Sequence, residues 1–191
     1  MNKRDLILYV HGWNSHANAR KAQLIEHELK NHEIFDTASL TLKNHPREAI
    51  KQLTEFISEK QSKYNVHLVG SSLGGYYSVF LAENLNLKAA MINPAVWAYK
   101  IFKNDRGDVE NLNTGEKYFI DQAWIDSLED IFIENPTPDR YLVLLQTGDE
   151  TLDYKYAEKY FSGARIVIDE GGSHSFDGLE QKISQILLHF S

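Results

Sequence analysis

Residues 66–77 read Val66-His67-Leu68-Val69-Gly70-Ser71-Ser72-Leu73-Gly74-Gly75-Tyr76-Tyr77. A short apolar run of strand type passes straight into a G-x-S-x-G turn, and residues 73–84 beyond it read as a helix. A serine at so sharp a strand-to-helix turn sits in strained backbone, and glycines two positions to either side let neighbouring chain pass closely. The hydroxyl then stands clear at the end of the strand, beside a helix N-terminus that favours developing negative charge. Only Ser72 has both flanking glycines, so Ser72 rather than Ser71 is the candidate nucleophile.

Outward from this turn, short apolar runs alternate with amphipathic stretches. Residues 6–10 form a continuous apolar run, as a strand buried on both faces requires. Residues 18–31 carry Ala22, Ile25 and Leu29 at helical spacing, residues 34–42 read as a second strand, and Pro46 suits the first position of a helix bearing Ile50, Leu53 and Ile57. Strands follow at 87–92, at 141–145 (the most apolar, hence expected at the centre) and at 165–168, with a helix at 154–161. Phe176, Leu179, Ile183, Ile186, Leu187 and Phe190 set out one final helical stripe. The order predicts an α/β fold: a mostly parallel sheet with helices on both faces, whose ligands bind beyond the carboxyl ends of the strands. Residues 93–139 break the alternation. No strand is evident there, 124–133 reads as a helix, and the segment is expected to be a small cap-like insert within a single domain of residues 1–191.

With 191 residues, 42% of them apolar, the chain is long enough to bury roughly 70% of its unfolded surface. It has no cysteine, which excludes disulfides, thiolate metal sites and a cysteine nucleophile. A net charge of −7 disfavours nucleic acid and anionic membranes as partners. The five apolar residues at 6–10 are too few for a signal-peptide core, and no run nears the ~20 needed to span a bilayer, so a cytoplasmic location is expected. Nucleotide-binding glycine motifs are absent from the sequence, which disfavours a nucleotide ligand, and the histidines and acids show no recognisable metal-ligand spacing.

A serine hydroxyl needs a base, and the base needs an orienting carboxylate. Of eight histidines, His27, His32, His67 and His189 fall on helices or inside a strand. His174 lies in Gly171-Gly172-Ser173-His174-Ser175-Phe176, after the last strand and before the last helix, at the same sheet edge as Ser72. Thr147-Gly148-Asp149-Glu150 follows the strand at 141–145. Asp149 is therefore the candidate acid, with Asp153 its rival and Glu150 a solvated neighbour. The order Ser72, Asp149, His174 is that of an α/β-hydrolase. Oxyanion donors are expected from the N–H of Leu73 and from the loop His11-Gly12-Trp13-Asn14, where the N–H of Trp13 is the candidate. That loop also enters a helix, with Asn14, Ser15 or Asn18 as cap. Trp97, Tyr99, Phe102 and Trp124 are candidates to line an acyl pocket.

With these pieces assembled, the chain resembles the YqiA/YcfP-type small bacterial esterases of the α/β-hydrolase superfamily. The resemblance rests on Leu8-Tyr9-Val10-His11-Gly12-Trp13-Asn14-Ser15, Gly70 to Tyr77, Asn93-Pro94-Ala95-Val96, Gln146-Thr147-Gly148-Asp149-Glu150 and Gly171 to Phe176. It implies an esterase for short acyl esters, without metal or organic cofactor, whose triad falls on Ser72, Asp149 and His174. The family's pattern has Val where this chain has Thr151. The same parts serve thioester or amide hydrolysis, and a non-catalytic binding protein on a hydrolase fold is the alternative from another class.

Overall fold

The apolar run at 6–10 lies in β1 (Arg4–Val10), and its alternate side chains feed two separate cores. Leu6, Leu8 and Val10 join one cluster, Ile7 and Tyr9 the other. A strand that is apolar on both faces requires cover on both, and helices supply it. The structure, a computed structural model, describes residues 3–191; Met1 and Asn2 lie outside them.

In chain order β1 is followed by α1 (Arg20–Glu28), β2 (Phe35–Ser39), α2 (Pro46–Lys60), β3 (Tyr64–Ser71), α3 (Leu73–Leu85) and β4 (Ala89–Ile92). Next come α4 (Ala98–Ile101), β5 (Gly107–Asn111), β6 (Glu116–Ile120), α5 (Gln122–Glu129), β7 (Tyr141–Gln146), α6 (Tyr154–Tyr160), β8 (Arg165–Asp169) and α7 (Ile183–Phe190). Six strands form one parallel sheet in the order β2-β1-β3-β4-β7-β8. Pairing of Val10 with Gly70, Ser71 with Ile92, and Gln146 with Asp169 brings the carboxyl ends of the central strands to one edge. The α2, α3 and α5 side chains Leu53, Ile57, Tyr76 and Trp124 pack on one face. Ile25 of α1 and Ile183, Ile186 and Phe190 of α7 pack on the other. Each such side chain, once fully buried, contributes roughly 1.5–3 kcal/mol. This is the α/β-hydrolase architecture.

Five expectations need correction. The strand at 141–145 is interior but not central: β7 is fifth of six, between β4 and β8. Its apolar character reports that both faces are covered, which holds for every interior strand. Residues 93–139 do contain strands, the antiparallel pair β5 and β6, and the helix expected at 124–133 is α5, which begins and ends earlier. The final stripe is not one helix. Phe176 has φ 64°, a 3-10 turn spans Leu179–Lys182, and α7 starts only at Ile183. Finally, none of Asn14, Ser15 and Asn18 caps α1; its N-cap is Ala19, without a side-chain bond.

Among the described residues, no helix is long and apolar enough to cross a membrane.

Candidate active site

Ser72 sits between β3 and α3 with φ 54° and ψ −124°, a conformation that costs a non-glycine residue of order 1–3 kcal/mol. The turn is held in place from several sides. Its carbonyl accepts N–H bonds from Gly75 (2.9 Å) and Ala95 (3.1 Å), and its own N–H donates to the Ile92 carbonyl (3.2 Å). Serine at a helix N-cap ordinarily accepts a bond from the first turn. Ser72 makes no such bond, which leaves its hydroxyl free. Gly74 is required by a close approach, since a Cβ there would lie 2.0 Å from the Val10 carbonyl oxygen and 2.4 Å from that of His11.

Ser72 Oγ lies 3.0 Å from His174 Nε2, and His174 Nδ1 lies 2.8 Å from Asp149 Oδ2. The Asp149 side chain is only 2% exposed. Its Oδ1 accepts the N–H groups of Thr151 and Leu152, both at 2.8 Å. Burial alone would raise its pKa, but the His174 bond and the two N–H donors outweigh it and hold the carboxyl below the usual carboxylate range. With Nδ1–H donated to the carboxylate, Nε2 is left as acceptor for the Ser72 hydroxyl. The structure therefore brings Ser72, Asp149 and His174 together. Asp153 instead caps α6, its Oδ1 accepting the Lys155 N–H at 3.0 Å.

The sequence reading missed what holds the His174 loop. Asn93, buried and at φ 40°, donates from Nδ2 to the Ser173 carbonyl (3.0 Å) and accepts the Gln146 N–H (3.0 Å). Gln146, also buried, accepts the N–H groups of Ser173 (3.1 Å) and Asp177 (2.9 Å) on one oxygen and donates to the Asp177 carbonyl. Glu150 is exposed, as a solvated neighbour would be, and its carboxylate also accepts the His174 N–H at 3.0 Å. An Asn-Pro just after a strand, where asparagine tolerates positive φ, was the available signal for Asn93.

The loop after β1 also closes on the nucleophile. A Cβ on Gly12 would be 3.1 Å from that of Ser72. The N–H groups of Trp13 and Leu73 have no protein acceptor among the described residues. Trp13 Nε1–H donates to the Tyr118 hydroxyl (2.6 Å), which donates to Asn14 Oδ1 (2.8 Å), so the β5–β6 pair anchors this loop.

His11 is buried beneath it, donating from Nδ1 to the Gly12 carbonyl (2.8 Å) and accepting the Leu42 N–H on Nε2 (3.0 Å). Burial lowers its pKa against the pull of the Gly12 carbonyl, with nearby His16 lowering it further. Burial likewise lowers His67, despite its bond to Asp5, and His189, despite its bond to the Arg140 carbonyl. These depressed values mean that the unfolded chain takes up protons the native state refuses. Their contribution to stability is complete above the unfolded histidine value of about 6.5 and is lost progressively below it, down to the folded values. Urea midpoints are thus expected to fall between pH 7.5 and 5.5. A flat midpoint over that window would show that the native state accepts these protons.

One cavity borders Ser72, and a second adjoins it at Thr151. The first, of about 330 Å³, is bordered by Ser72, His174 and Trp13. The second, of about 480 Å³, is lined by Val96, Trp97, Ile101, Leu152 and Tyr156. Thr151 borders both. Of the aromatics expected in an acyl pocket, Trp97 lines the second cavity, but Phe102 and Trp124 are buried in the core and Tyr99 packs against Phe132. Among the described residues, no group of three or more His, Asp or Glu side chains is arranged to hold a metal ion.

A model of the family described as an uncharacterised protein family, UPF0227, matches residues 6–191. Among solved structures, Est1E from Butyrivibrio proteoclasticus, solved with ferulic acid bound, superposes with a TM-score of 0.77 at 16% identity, covering 98% of this chain and 90% of that one. Mouse alpha/beta hydrolase domain-containing protein 10 gives 0.72 at 18% identity, covering 100% and 93%. An alpha/beta superfamily hydrolase from Oenococcus oeni PSU-1 gives 0.69 at 15%, covering 100% and 94%. At these identities the likeness speaks for the fold.

Proposed function

The chain belongs to the UPF0227 (YqiA/YcfP) family, and from that premise together with the site geometry we propose that it is a serine esterase acting on small acyl esters. The observation that carries this reading is the continuous line from Ser72 Oγ through His174 to Asp149, with links of 3.0 and 2.8 Å, at a strained strand-to-helix turn.

Ser72 Oγ attacks the ester carbonyl carbon while His174 Nε2 takes its proton. The carbonyl π pair moves onto oxygen, where the N–H groups of Trp13 and Leu73 receive it. Collapse of the tetrahedral species expels the alcohol, which leaves with the proton from His174. Water then adds to the acyl-enzyme, gives its proton to His174, and the acid departs as Ser72 is reprotonated. Asp149 holds the imidazole in the tautomer that can accept and stabilises its cation. The steps draw on no metal or organic cofactor, and the partner is a small ester rather than nucleic acid or membrane.

A fluorophosphonate probe tests the proposal, because it bonds only to an activated serine. Wild-type protein is expected to be labelled and Ser72→Ala to lose the label entirely while keeping its urea midpoint. Labelling of neither protein, both folded, would overturn the esterase reading and favour a binding protein on this fold.

A further inference from the structure

The cavity beside Ser72 holds two cations that the hydrolytic steps do not use. It runs from Ser72 and His174 past Trp13 to Arg20 and Lys21, the first two residues of α1. The chain carries 27 acidic residues against 20 basic ones, yet no Asp or Glu borders this cavity. Among the described residues, Arg20 enters no ion pair and no side-chain hydrogen bond. Lys21 Nζ donates only to the Ser175 carbonyl, at 3.0 Å. Adjacent like charges repel, and burial adds to the cost of keeping Lys21 charged. Both effects push its pKa below the usual lysine value, burial first and Arg20 second, against a smaller pull from Asp149. The N-cap Ala19 borders the cavity too and brings no capping oxygen, so the positive end of α1 adds to the same field. Beyond Thr151 the character reverses. The cavity around Trp97, Ile101 and Tyr156 is mainly apolar.

We propose that the substrate is an ester bearing an anionic group, a carboxylate or a phosphate, which docks on Arg20 and Lys21, while the apolar part enters the Trp97 cavity. The proposal rests on Ser72 as nucleophile and names the class of ester it acts on. An anion here would neutralise two charges that enter no ion pair among the described residues, and Arg20 offers the planar fork that suits either group.

The test compares kcat/KM at low ionic strength for a neutral ester, p-nitrophenyl butyrate, with three anionic ones. In the p-nitrophenyl monoester of glutarate the carboxylate lies on the acyl side. In 4-carboxyphenyl butyrate it lies on the leaving group, with phenyl butyrate as its neutral control. In 4-phosphonooxyphenyl butyrate a phosphate takes that place. At least one anionic ester is expected to exceed its neutral counterpart by about 10-fold, the size of a charged hydrogen bond. That ratio is expected to shrink with added salt, to collapse in Arg20→Gln and to invert in Arg20→Glu. If no anionic ester is preferred, or if the preference survives Arg20→Glu, the anion site is wrong while the serine esterase reading stands. If no ester of any kind is hydrolysed in a Ser72-dependent manner, both fall.

Discussion

Asp149→Asn is expected to lower kcat for p-nitrophenyl butyrate by about 10⁴-fold while leaving the fold intact. The reason lies in how residue 149 is held. Its Oδ1 accepts two backbone N–H groups, from Thr151 and Leu152, each at 2.8 Å, so the single oxygen of an amide has to stay on that side. The NH₂ group then faces His174 Nδ1, where the carboxylate oxygen accepted a bond at 2.8 Å. Two donors cannot share that contact, and the imidazole shifts its hydrogen to Nε2, the atom 3.0 Å from Ser72 Oγ. A ring protonated there has no lone pair for the serine proton. Asp153→Asn, which retains a good capping group on α6, separates this effect from a general change of charge near the site. A loss in Asp149→Asn smaller than about 10-fold would remove Asp149 from the orienting role.

The second large effect concerns the fold beneath the site. Gly74→Ala is expected to destabilise the protein by at least about 3 kcal/mol, read as a fall in urea midpoint or as insoluble protein. Helix propensity favours alanine within α3 by up to about 1 kcal/mol, so the two effects oppose each other. The clash decides the sign. The new methyl would come 2.0 Å from the Val10 carbonyl oxygen and 2.4 Å from that of His11, and both obstacles are backbone rather than movable side chain. Relief would require α3 to lift from the end of β1, carrying the Gly12-Trp13 loop away from Ser72. A midpoint equal to that of the wild type would show that this junction is looser than its geometry indicates.

Much of this architecture was legible in the sequence because the parallel sheet imposes strong local patterns. Residues 6–10 and 141–145 are apolar throughout because both faces of their strands are covered, and the G-x-S-x-G turn carries glycine where neighbouring chain comes close. The order of strands within the sheet was less legible, since Tyr141 to Gln146 would look the same in any interior position. The β5–β6 pair was missed because only one of its faces packs. Val109 and Asn111 alternate with Asp108 and Glu110, and a run beginning at Gly107 has too little apolar content to read as a strand. Phe176 misled in a different way: it is buried with the α7 residues, as its apolar character implies, but from a left-handed turn rather than a helix. Ser72, Asp149 and His174 could be nominated from their places after strands. Asn93 left only the signal of an Asn-Pro after a strand, and Gln146, Glu150 and His11 left none, because the N–H groups they accept belong to loops far away in the chain.

The hydrogen bonds that run from Trp13 and Asn14 to Tyr118 carry one more implication. A two-stranded ribbon is marginal in water when left to itself. This ribbon is not left to itself: Ile120 is in the core, with Val109 and Tyr118 packed against it, so the N–H group that would cradle charge beside Ser72 is steadied through that one packed face. If the ribbon loosens before the six-stranded sheet on warming, Ser72-dependent hydrolysis is expected to be lost below the melting transition and to return on cooling.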